Sequence, residues 1–348
     1  DYLPGLGFSQ IDVTGCPSLA LNGPGLPLRE KQPLTPESKL CFTGSVSNPP
    51  DFKKFAVRCT ERFPNTYFVP QFIDDLRLMY LGIPHPDTAD SRVLHPTNLD
   101  HPVFVEDKAR FFINLPSMFA FNREMDFNYG TRIHGAIGNI LCGVPSLLFP
   151  TDARIRELAE YHNIPAIPAS AVTPDTDLAA LYDQTDFRQV NNGHAERFWH
   201  LIDFLNENGI KTIYDDRTGT PARSLYDEKT AATSYAQPVH SMLVRPPEEI
   251  ARRVDTAVRL QRKEIEDDSR LATQLRDSQR KVTQLQERNK KQDAQIQALK
   301  EERKALKAEL KATKKPLRRL AWYQRTSTFG IGLARLKKKL RRLLGKEK

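Results

Sequence analysis

Residues 131–167 read TRIHGAIGNILCGVPSLLFPTDARIRELAEYHNIPAI, and helical patterns alternate with short apolar runs along this stretch. The apolar spacing predicts a helix over residues 134–141, which ends before a glycine and a proline. Residues 146–149 form a largely apolar run of strand length, and residues 164–167 form a second one. Asp152 is placed to cap a helix between these two runs. This alternation predicts a parallel α/β sheet.

The same alternation extends toward the N-terminus and continues toward the C-terminus. Asp51 is the expected N-cap of a helix that lies between the first two predicted strands. Residues 129–135, with two glycines, are predicted to form a polar loop. The other predicted elements are strands at residues 40–43, 66–69 and 111–113 and a longer helix over residues 188–208. Residues 1–209 are therefore predicted to form one doubly wound, parallel-sheet α/β lobe.

The composition favours a folded protein from a reducing compartment. The chain has 348 residues, of which 39% are hydrophobic and 9% aromatic, and this excludes a wholly disordered chain. Cys16, Cys41, Cys59 and Cys142 lie far apart, so we expect a cytoplasmic location rather than a disulfide framework or a zinc site. No apolar run approaches the ~18 residues of a membrane-spanning helix. Because the sequence begins at Asp1 without a leader, we expect a piece of a longer protein.

Charge is distributed unevenly along the chain. Residues 311–348 contain fourteen Lys and Arg and one acid, Glu347, so this segment carries +13. The formal net charge of the whole chain is +9, and the remaining residues therefore carry −4. A basic tail that binds an anionic partner is expected, whereas a nucleic-acid-binding surface on the folded part is not.

Residues 210–247 are rich in Thr, Ser, Asp and Pro, which predicts a linker or a strap over the lobe. Residues 248–312 are predicted to form a coiled coil, because apolar residues recur in steps of four and three. Asn289 falls at an a position, which favours a parallel dimer because its amide pairs with the same residue across the axis. A single charged helix with a chance repeat is the alternative. The seam residues are Leu271, Leu275, Ser278, Val282, Leu285, Asn289, Gln292, Ile296, Leu299, Arg303, Leu306 and Leu310.

Residues 313–348 are predicted to form a basic amphipathic tail. Leucines share one helical face and cations occupy the rest, which is typical of a helix that lies in a membrane interface. We therefore expect peripheral association with the inner membrane face. A basic tail that stays in solvent or binds RNA is the alternative. The leucines of the apolar face are Leu333, Leu336, Leu340, Leu343 and Leu344.

A candidate anion site stands at the start of the 134–141 helix, because a helix N-terminus offers free N–H donors and partial positive charge. Arg132 and His134 flank Ile133, so both side chains are expected to point at one ligand. Arg132 offers a planar fork for carboxylate or phosphate, and His134 can bind an anion or transfer a proton. Arg154 follows the next strand, at the edge where open α/β sheets bind ligands. The alternative is that these side chains only satisfy backbone carbonyls or an acid.

Two motifs resemble the polysaccharide pyruvyl transferase family. RIHG at residues 132–135, followed by GVP at 143–145, a strand and a basic residue, is similar to one family element. VTGCPSL at residues 13–19 resembles the segment that joins the two lobes of family members. The similarity spans residues 11–205. It implies the C-terminal lobe of a glycosyltransferase-B type fold, to which this chain adds the coiled coil and the tail.

The resemblance implies a transferase that moves the enolpyruvyl group of phosphoenolpyruvate onto a sugar, forming a pyruvate ketal. The acceptor is then a cell-surface polysaccharide or its lipid-linked precursor. Arg132 and His134 match the residues that hold phosphoenolpyruvate, with both taken as catalytic and His134 as the acid. Gly135 and Arg154 complete the implied substrate-binding set. Phosphoenolpyruvate is the donor substrate, and no cofactor or metal is expected.

Two alternatives remain: a nucleotide-sugar glycosyltransferase of similar fold, and a non-enzymatic coiled-coil adaptor at a membrane. Only twelve residues precede Val13, where family members have a complete first lobe. We therefore expect the first lobe to be missing and the chain to be an incomplete enzyme. The expected partners are phosphoenolpyruvate, a saccharide acceptor, a second copy of the chain and an anionic membrane surface. No nucleic acid is expected.

Overall fold

A computed structural model describes most of the chain. The described residues are 2–9, 11–44, 48–84, 96–215, 217, 225–326 and 328–343. The predicted lobe, the linker and the tail each include positions outside these ranges, and the tail residue Leu344 is one of them.

The described part contains one parallel sheet of four strands in the order β2-β1-β3-β4. Pairing in register joins Phe42 of β1 to Phe68 of β2 and to Tyr129 of β3. The predicted parallel α/β sheet is confirmed. The strands are β1 (Leu40–Thr43), β2 (Thr66–Phe68), β3 (Phe127–Gly130) and β4 (Ser146–Leu148).

Helices connect and cover these strands. The α-helices are α1 (Tyr2–Gly5), α2 (Pro50–Arg62), α3 (Ile73–Leu81), α4 (Pro102–Val105), α5 (Leu115–Asn122), α6 (Ile133–Leu141), α7 (Ala153–Tyr161), α8 (Leu178–Gln184), α9 (His194–Glu207), α10 (Leu225–Thr230), α11 (Pro247–Thr326) and α12 (Thr328–Leu343). Short 3-10 helices span Pro17–Asn22, Ala169–Ala171, Phe187–Asn191 and Met242–Val244.

The strand order contains a reversal that positions the site. The chain passes from β1 outward to β2, and it then returns to place β3 on the other side of β1. Connections therefore leave the carboxyl ends of β1 and β3 in opposite directions. In open α/β sheets, ligands bind in the crevice at such a reversal. Helix α6 begins three residues after β3, so its N-terminus lies beside this crevice.

Successive residues of β4 pack into different hydrophobic clusters, as side chains alternate between the faces of a strand. Leu147 joins the aromatic cluster that includes Phe52 and Phe55 of α2. Leu148 joins the aliphatic cluster that includes Ile137 of α6 and Ile155 of α7. Helices therefore cover both faces of the sheet, as a doubly wound fold requires.

The prediction of a polar loop over residues 129–135 is wrong. Residues Phe127–Gly130 form the strand β3, and all four are buried. Asn128 is fully buried at 0% exposure, and Tyr129 packs against Phe42 with ring centroids 5.1 Å apart. The segment is polar only in composition, since it is buried between β1 and β4 in the sheet.

Several smaller predictions also need correction. Pro49, not Asp51, occupies the N-cap position of α2. The apolar runs at residues 111–113 and 164–167 contribute single β-bridges, through Phe111 and Ala166, rather than strands. The helix predicted over residues 188–208 is divided into the 3-10 helix Phe187–Asn191 and α9. In contrast, Asp152 caps α7 as predicted, because its Oδ1 accepts a hydrogen bond of 2.8 Å from Ile155 N.

The chain divides into two compact units, Asp1–Gln261 and Arg262–Lys348. The first unit contains the beginning of α11, where Arg253 and Ala257 are buried. The Arg253 guanidinium lies 4.0 Å from the ring centroid of Tyr80, at the end of α3, and forms an ion pair with Glu249. The start of α11 is therefore packed onto the α/β lobe.

The second unit is helical. Helix α11 runs without interruption through the predicted boundary between residues 312 and 313 and continues to Thr326. Seam residues such as Leu275, Leu285 and Leu299 are exposed, at 60%, 57% and 63% of their surface. The parallel dimer and the membrane contact of the tail stay predictions. Among the described helices, none combines the length and the apolar character needed to span a bilayer.

Candidate functional site

A cavity of about 500 Å³ lies beside the first turn of α6. Val13 and residues 15–18 form one wall of it, and Arg154 and Tyr161 on α7 are part of the other. His134 of α6 also lines the cavity. The two motifs that carry the family resemblance, although distant in sequence, therefore meet at one cavity.

His134 occupies the second position of α6 and is exposed to the cavity. Its Nε2 atom lies 3.9 Å from Sγ of Cys16. Partial burial and the positive charges of Arg154 and Arg132 hold the pKa of His134 below its usual value. The imidazole is therefore predominantly neutral near pH 7, and a nearby anion would favour its protonation.

Arg154 is the second residue of α7. Its side chain is exposed and lines the cavity. Within the described ranges, Arg154 forms no hydrogen bond or ion pair. A guanidinium without a protein partner at a cavity wall is suited to bind a carboxylate or a phosphate.

Arg132 has a different environment. It occupies the N-cap position of α6 without a side-chain capping bond, and its guanidinium lies 4.1 Å from the ring centroid of Phe72. Burial lowers its pKa, and the nearby negative charge of Asp75 opposes this effect. Arg132 is not among the residues that line the cavity. The prediction that Arg132 and His134 share one ligand therefore stays a prediction.

Arg132, His134 and Arg154 nevertheless lie close enough to repel one another electrostatically. Arg154 lowers the pKa of both Arg132 and His134. A ligand with two negative charges would relieve this repulsion. Groups whose pKa values are shifted by neighbouring charges beside a cavity are candidates for a functional site.

Gly135 serves packing rather than lining the cavity. It is buried, and a Cβ atom at this position would lie 2.6 Å from Cγ2 of Thr43 at the end of β1. Gly130 has a φ of +153°, and a Cβ there would collide with the carbonyl oxygen of Thr43. These two glycines let β3 and α6 approach the end of β1 closely. The ligand contact expected of Gly135 stays a prediction.

The loop that carries Cys16 is attached to the end of α7 by contacts that the sequence did not reveal. Cys16 N–H donates a hydrogen bond of 2.8 Å to Nε2 of His162. The Tyr161 hydroxyl donates one of 2.8 Å to the carbonyl oxygen of Val13. His162 is the C-cap residue of α7, and it is buried at 4% exposure. The TGCPS motif was the sequence signal for this loop, but the motif alone does not indicate which residues of α7 the loop contacts.

The other three cysteines are unsuited to reaction at neutral pH. Burial raises the pKa of Cys41 to about 12 and that of Cys142 to about 11, and it raises that of Cys59 as well. Since the thiolate is the reactive form, these side chains are inert packing groups. Cys16 differs from them because it lines the cavity.

Comparisons with known proteins give limited information. No model of a known protein family matches the chain, and no curated protein matches it. One similar solved structure is the glycosyltransferase of kitacinnamycin, with 20% identity over 52% of this chain and 42% of that chain and a TM-score of 0.26. Another is the glycosyltransferase SnogD from Streptomyces nogalater, with 16% identity over 48% and 41% of the two chains and a TM-score of 0.26. The chain spans about two fifths of the length of these structures, and similarity at this level carries no information on its reaction.

Throughout the ranges that the structure describes, no three His, Cys, Asp or Glu side chains converge as a metal site would require. The side chains that line the cavity include a guanidinium, an imidazole and a thiol, from Arg154, His134 and Cys16, and the carboxylate of Glu157. Of these, the guanidinium and the imidazole suit an anionic organic ligand and proton transfer.

Proposed function

We propose that the chain belongs to a transferase that moves the enolpyruvyl group of phosphoenolpyruvate onto two hydroxyls of a saccharide. One observation carries the proposal: the TGCPS loop, His134 and Arg154 line a single cavity beside the N-terminus of α6. Phosphoenolpyruvate has a carboxylate and a phosphate, so its site needs fixed cations. The resemblance of residues 13–19 and 132–135 to pyruvyl transferases supports the same donor.

The proposed reaction balances through one proton transfer to carbon and the loss of phosphate. The methylene carbon gains a proton and becomes a methyl group, while the former enol carbon gains bonds to two sugar oxygens. The bond from that carbon to the phosphate oxygen breaks. The two sugar hydroxyls release two protons. One of them returns to the acid that protonated the carbon, and the other leaves with phosphate.

His134 is the proposed acid of this reaction, and the two arginines bind the anionic donor. The pKa of His134 is low without ligand because the ring is partly buried and because Arg154 and Arg132 repel its positive charge. A bound dianion offsets that repulsion, so the imidazole gains its proton when the donor is present. Arg154 and Arg132 then stabilise the negative charge that accumulates on the departing phosphate.

A nucleotide-sugar glycosyltransferase is the second candidate. The observation that favours it is the same cation cluster, because a diphosphate also carries paired negative charges. The two candidates differ in the ligand that the cavity selects, phosphoenolpyruvate or a nucleoside diphosphate. A protein that binds neither ligand fits the third interpretation, a non-enzymatic adaptor.

Titration calorimetry of the full chain with phosphoenolpyruvate and with uridine diphosphate tests this proposal. Arg154→Gln removes the unpaired cation and is expected to weaken phosphoenolpyruvate binding by about ten- to a hundredfold. Arg156→Gln on the same helix is the matched control, because Arg156 is exposed and faces Glu160 at 3.9 Å. Tighter binding of uridine diphosphate would favour the glycosyltransferase, and equal binding by wild type and Arg154→Gln would overturn the site. Phosphate release with an added saccharide then tests the reaction itself.

The assembly of the chain forms part of the proposal. The exposed seam of α11 is proposed to pair with the seam of a second copy, in parallel and in register at Asn289. In proteins, most of the stability of a helix comes from the packing of an apolar face rather than from intrinsic helix propensity. The apolar seam side chains that are exposed in one copy of the chain would form the core of the pair. Val282 and Ile296 are among them.

The basic helix α12 is proposed to bind an anionic membrane surface. Leu333, Leu336 and Leu340 are exposed together, and the surrounding positions are mostly Lys and Arg. We propose a cytoplasmic location at the inner membrane face, where lipid-linked saccharides would be available as acceptors. Two tails on one dimer bind more tightly than one, because the second contact is intramolecular.

A further inference from the structure

The loop from Val13 to Cys16 contains no helix or strand, and yet it forms a wall of the cavity. Its backbone is attached to the C-terminal end of α7 at two points. The Tyr161 hydroxyl donates to the Val13 carbonyl oxygen, and Cys16 N–H donates to His162 Nε2, each over 2.8 Å. The position of the loop therefore depends on two adjacent side chains.

His162 is suited to be a permanent acceptor. It is buried, and burial together with the charges of Arg197 and His194 lowers its pKa to about 4. The ring is thus neutral at physiological pH, and the hydrogen bond from Cys16 N–H requires the ring proton to be on Nδ1. A protonated ring would have no lone pair to accept this bond.

Gly15 allows the close approach between the loop and α7. Its φ is +68°, and a Cβ atom there would lie 2.5 Å from His162 Nε2 and 2.5 Å from Cε1 of Tyr161. No side chain fits between the loop and these rings. The attachment is consequently tight, and it determines where the next residue, Cys16, is placed.

Cys16 in turn contacts His134, with 3.9 Å between Sγ and Nε2. We infer that Tyr161 and His162 are positioning residues, which hold the loop so that Cys16 packs against the His134 ring and orients it in the cavity. This inference rests on the proposed function insofar as it takes His134 as the acid. The geometry of the loop itself does not depend on which donor binds.

Two measurements test the inference without any turnover. The first is the rate at which iodoacetamide alkylates Cys16, read by peptide mass spectrometry, where the three other buried cysteines are internal controls. The second is the titration of the His134 ring proton by NMR. His162→Leu is expected to raise the alkylation rate at least about tenfold, because the loop is released, and to shift the His134 titration. His162→Gln restores an acceptor oxygen and is expected to return both values toward wild type.

His194→Leu is the matched control. His194 is also buried at 4% exposure, but its Nε2 lies 3.1 Å from the Gly23 carbonyl oxygen, away from the lining of the cavity. This variant is expected to leave the alkylation rate and the His134 titration unchanged. An equal effect of His194→Leu and His162→Leu would overturn the inference, since general destabilisation would then explain both.

Folded His162→Leu with wild-type alkylation and titration would also overturn it. If that variant does not fold, Tyr161→Phe takes its place, because it removes only the hydroxyl that binds Val13. Tyr161→Phe is expected to raise Cys16 alkylation by about threefold, and an unchanged rate would overturn the inference. If phosphoenolpyruvate does not bind but these variants still raise the alkylation rate of Cys16, the proposed function fails and the positioning role stands. With a donor that does bind, His162→Leu is expected to lower kcat up to about a hundredfold with a smaller change in KM.

Discussion

The Sγ atom of Cys16 lies 3.9 Å from Nε2 of His134, although 118 residues separate them in the chain. The contact joins the N-terminal loop to the first turn of α6 and makes one cavity of two motifs. Arg154 lines the same cavity as both side chains. The proposed site is therefore an assembly of three segments.

The first prediction concerns the protonation of His134. Saturating phosphoenolpyruvate is expected to raise its pKa by about one pH unit or more, because the bound dianion offsets the charges of Arg132 and Arg154. NMR titration of the ring proton measures this. Arg154→Gln is expected to raise the pKa without any ligand, since it removes one of the two repelling charges. A titration that neither change affects would contradict the electrostatic account of the site.

Gly135→Ala tests the contact between α6 and β1. The added Cβ would lie 2.6 Å from Cγ2 of Thr43, so we expect the free energy of unfolding to fall by about 2 kcal/mol. Urea denaturation measures it. Gly25→Ala is the control, because no atom lies within 4 Å of a Cβ at that position. Because the added Cβ would also lie 2.7 Å from the Thr43 Cβ, the second variant is Thr43→Gly. Gly135→Ala is expected to cost less in the Thr43→Gly background than in the wild type, and an equal cost would assign the damage elsewhere.

The buried His162 predicts a loss of stability in acid. Its pKa is about 4 in the folded protein and near 6.5 when unfolded, so the unfolded chain binds the proton first as pH falls. The contribution is complete above pH 6.5 and is lost between pH 6.5 and 4, by an amount on the order of 3 kcal/mol. His162→Gln is expected to flatten this part of the pH profile in thermal denaturation. Carboxylates contribute equally to both proteins, and identical profiles would show that His162 is not responsible.

The coiled-coil prediction concerns oligomeric state. Asn289→Cys in the full chain is expected to give a disulfide-linked dimer under mild oxidation, because a parallel pair places both copies of this position at the axis. Leu285→Asp at the exposed seam is expected to shift sedimentation toward the monomer. Gln284→Asp is the matched control, since this neighbour lies outside the seam. Monomers alone, in wild type and Asn289→Cys, would refute the dimer.

The tail prediction concerns membranes. Vesicles that contain anionic lipids are expected to sediment the protein at low salt and to release it at high salt. Each cation near the surface contributes roughly 1 kcal/mol, so Lys337→Gln should weaken binding about fivefold per tail. Lys290→Gln on α11 is the control, because Lys290 lies outside the helix that is proposed to contact the membrane. Equal binding to neutral vesicles would contradict the electrostatic contribution.

The strands β1, β2 and β4 were predictable because each is a short apolar run, and β4 is bounded by Pro145 and Pro150. Strand β3 was not, since Asn128 and Gly130 make it polar in composition. Its burial comes from pairing with β1 and β4 on either side, which are distant in sequence. Local patterns describe a strand poorly when the rest of the sheet provides its environment.

The site was predictable only in part for a similar reason. Its charged members were recognisable by type and by their place after strands, as Arg154 shows. The attachment of Cys16 to His162 depends on tertiary packing across 146 residues, which no spacing encodes. Arg132 and His134 flank one residue, but Arg132 precedes the helix, and its extended backbone directs it to Phe72 rather than to the cavity.

Helix α3 supports two guanidinium groups at once. Phe72, immediately before its first turn, carries Arg132, and Tyr80, in its last turn, carries Arg253 of α11. This helix of nine residues therefore contacts both Arg132 and the first turns of α11. A substitution that shifts α3 would consequently disturb both contacts together, which makes this short helix a shared anchor for two otherwise separate parts of the lobe.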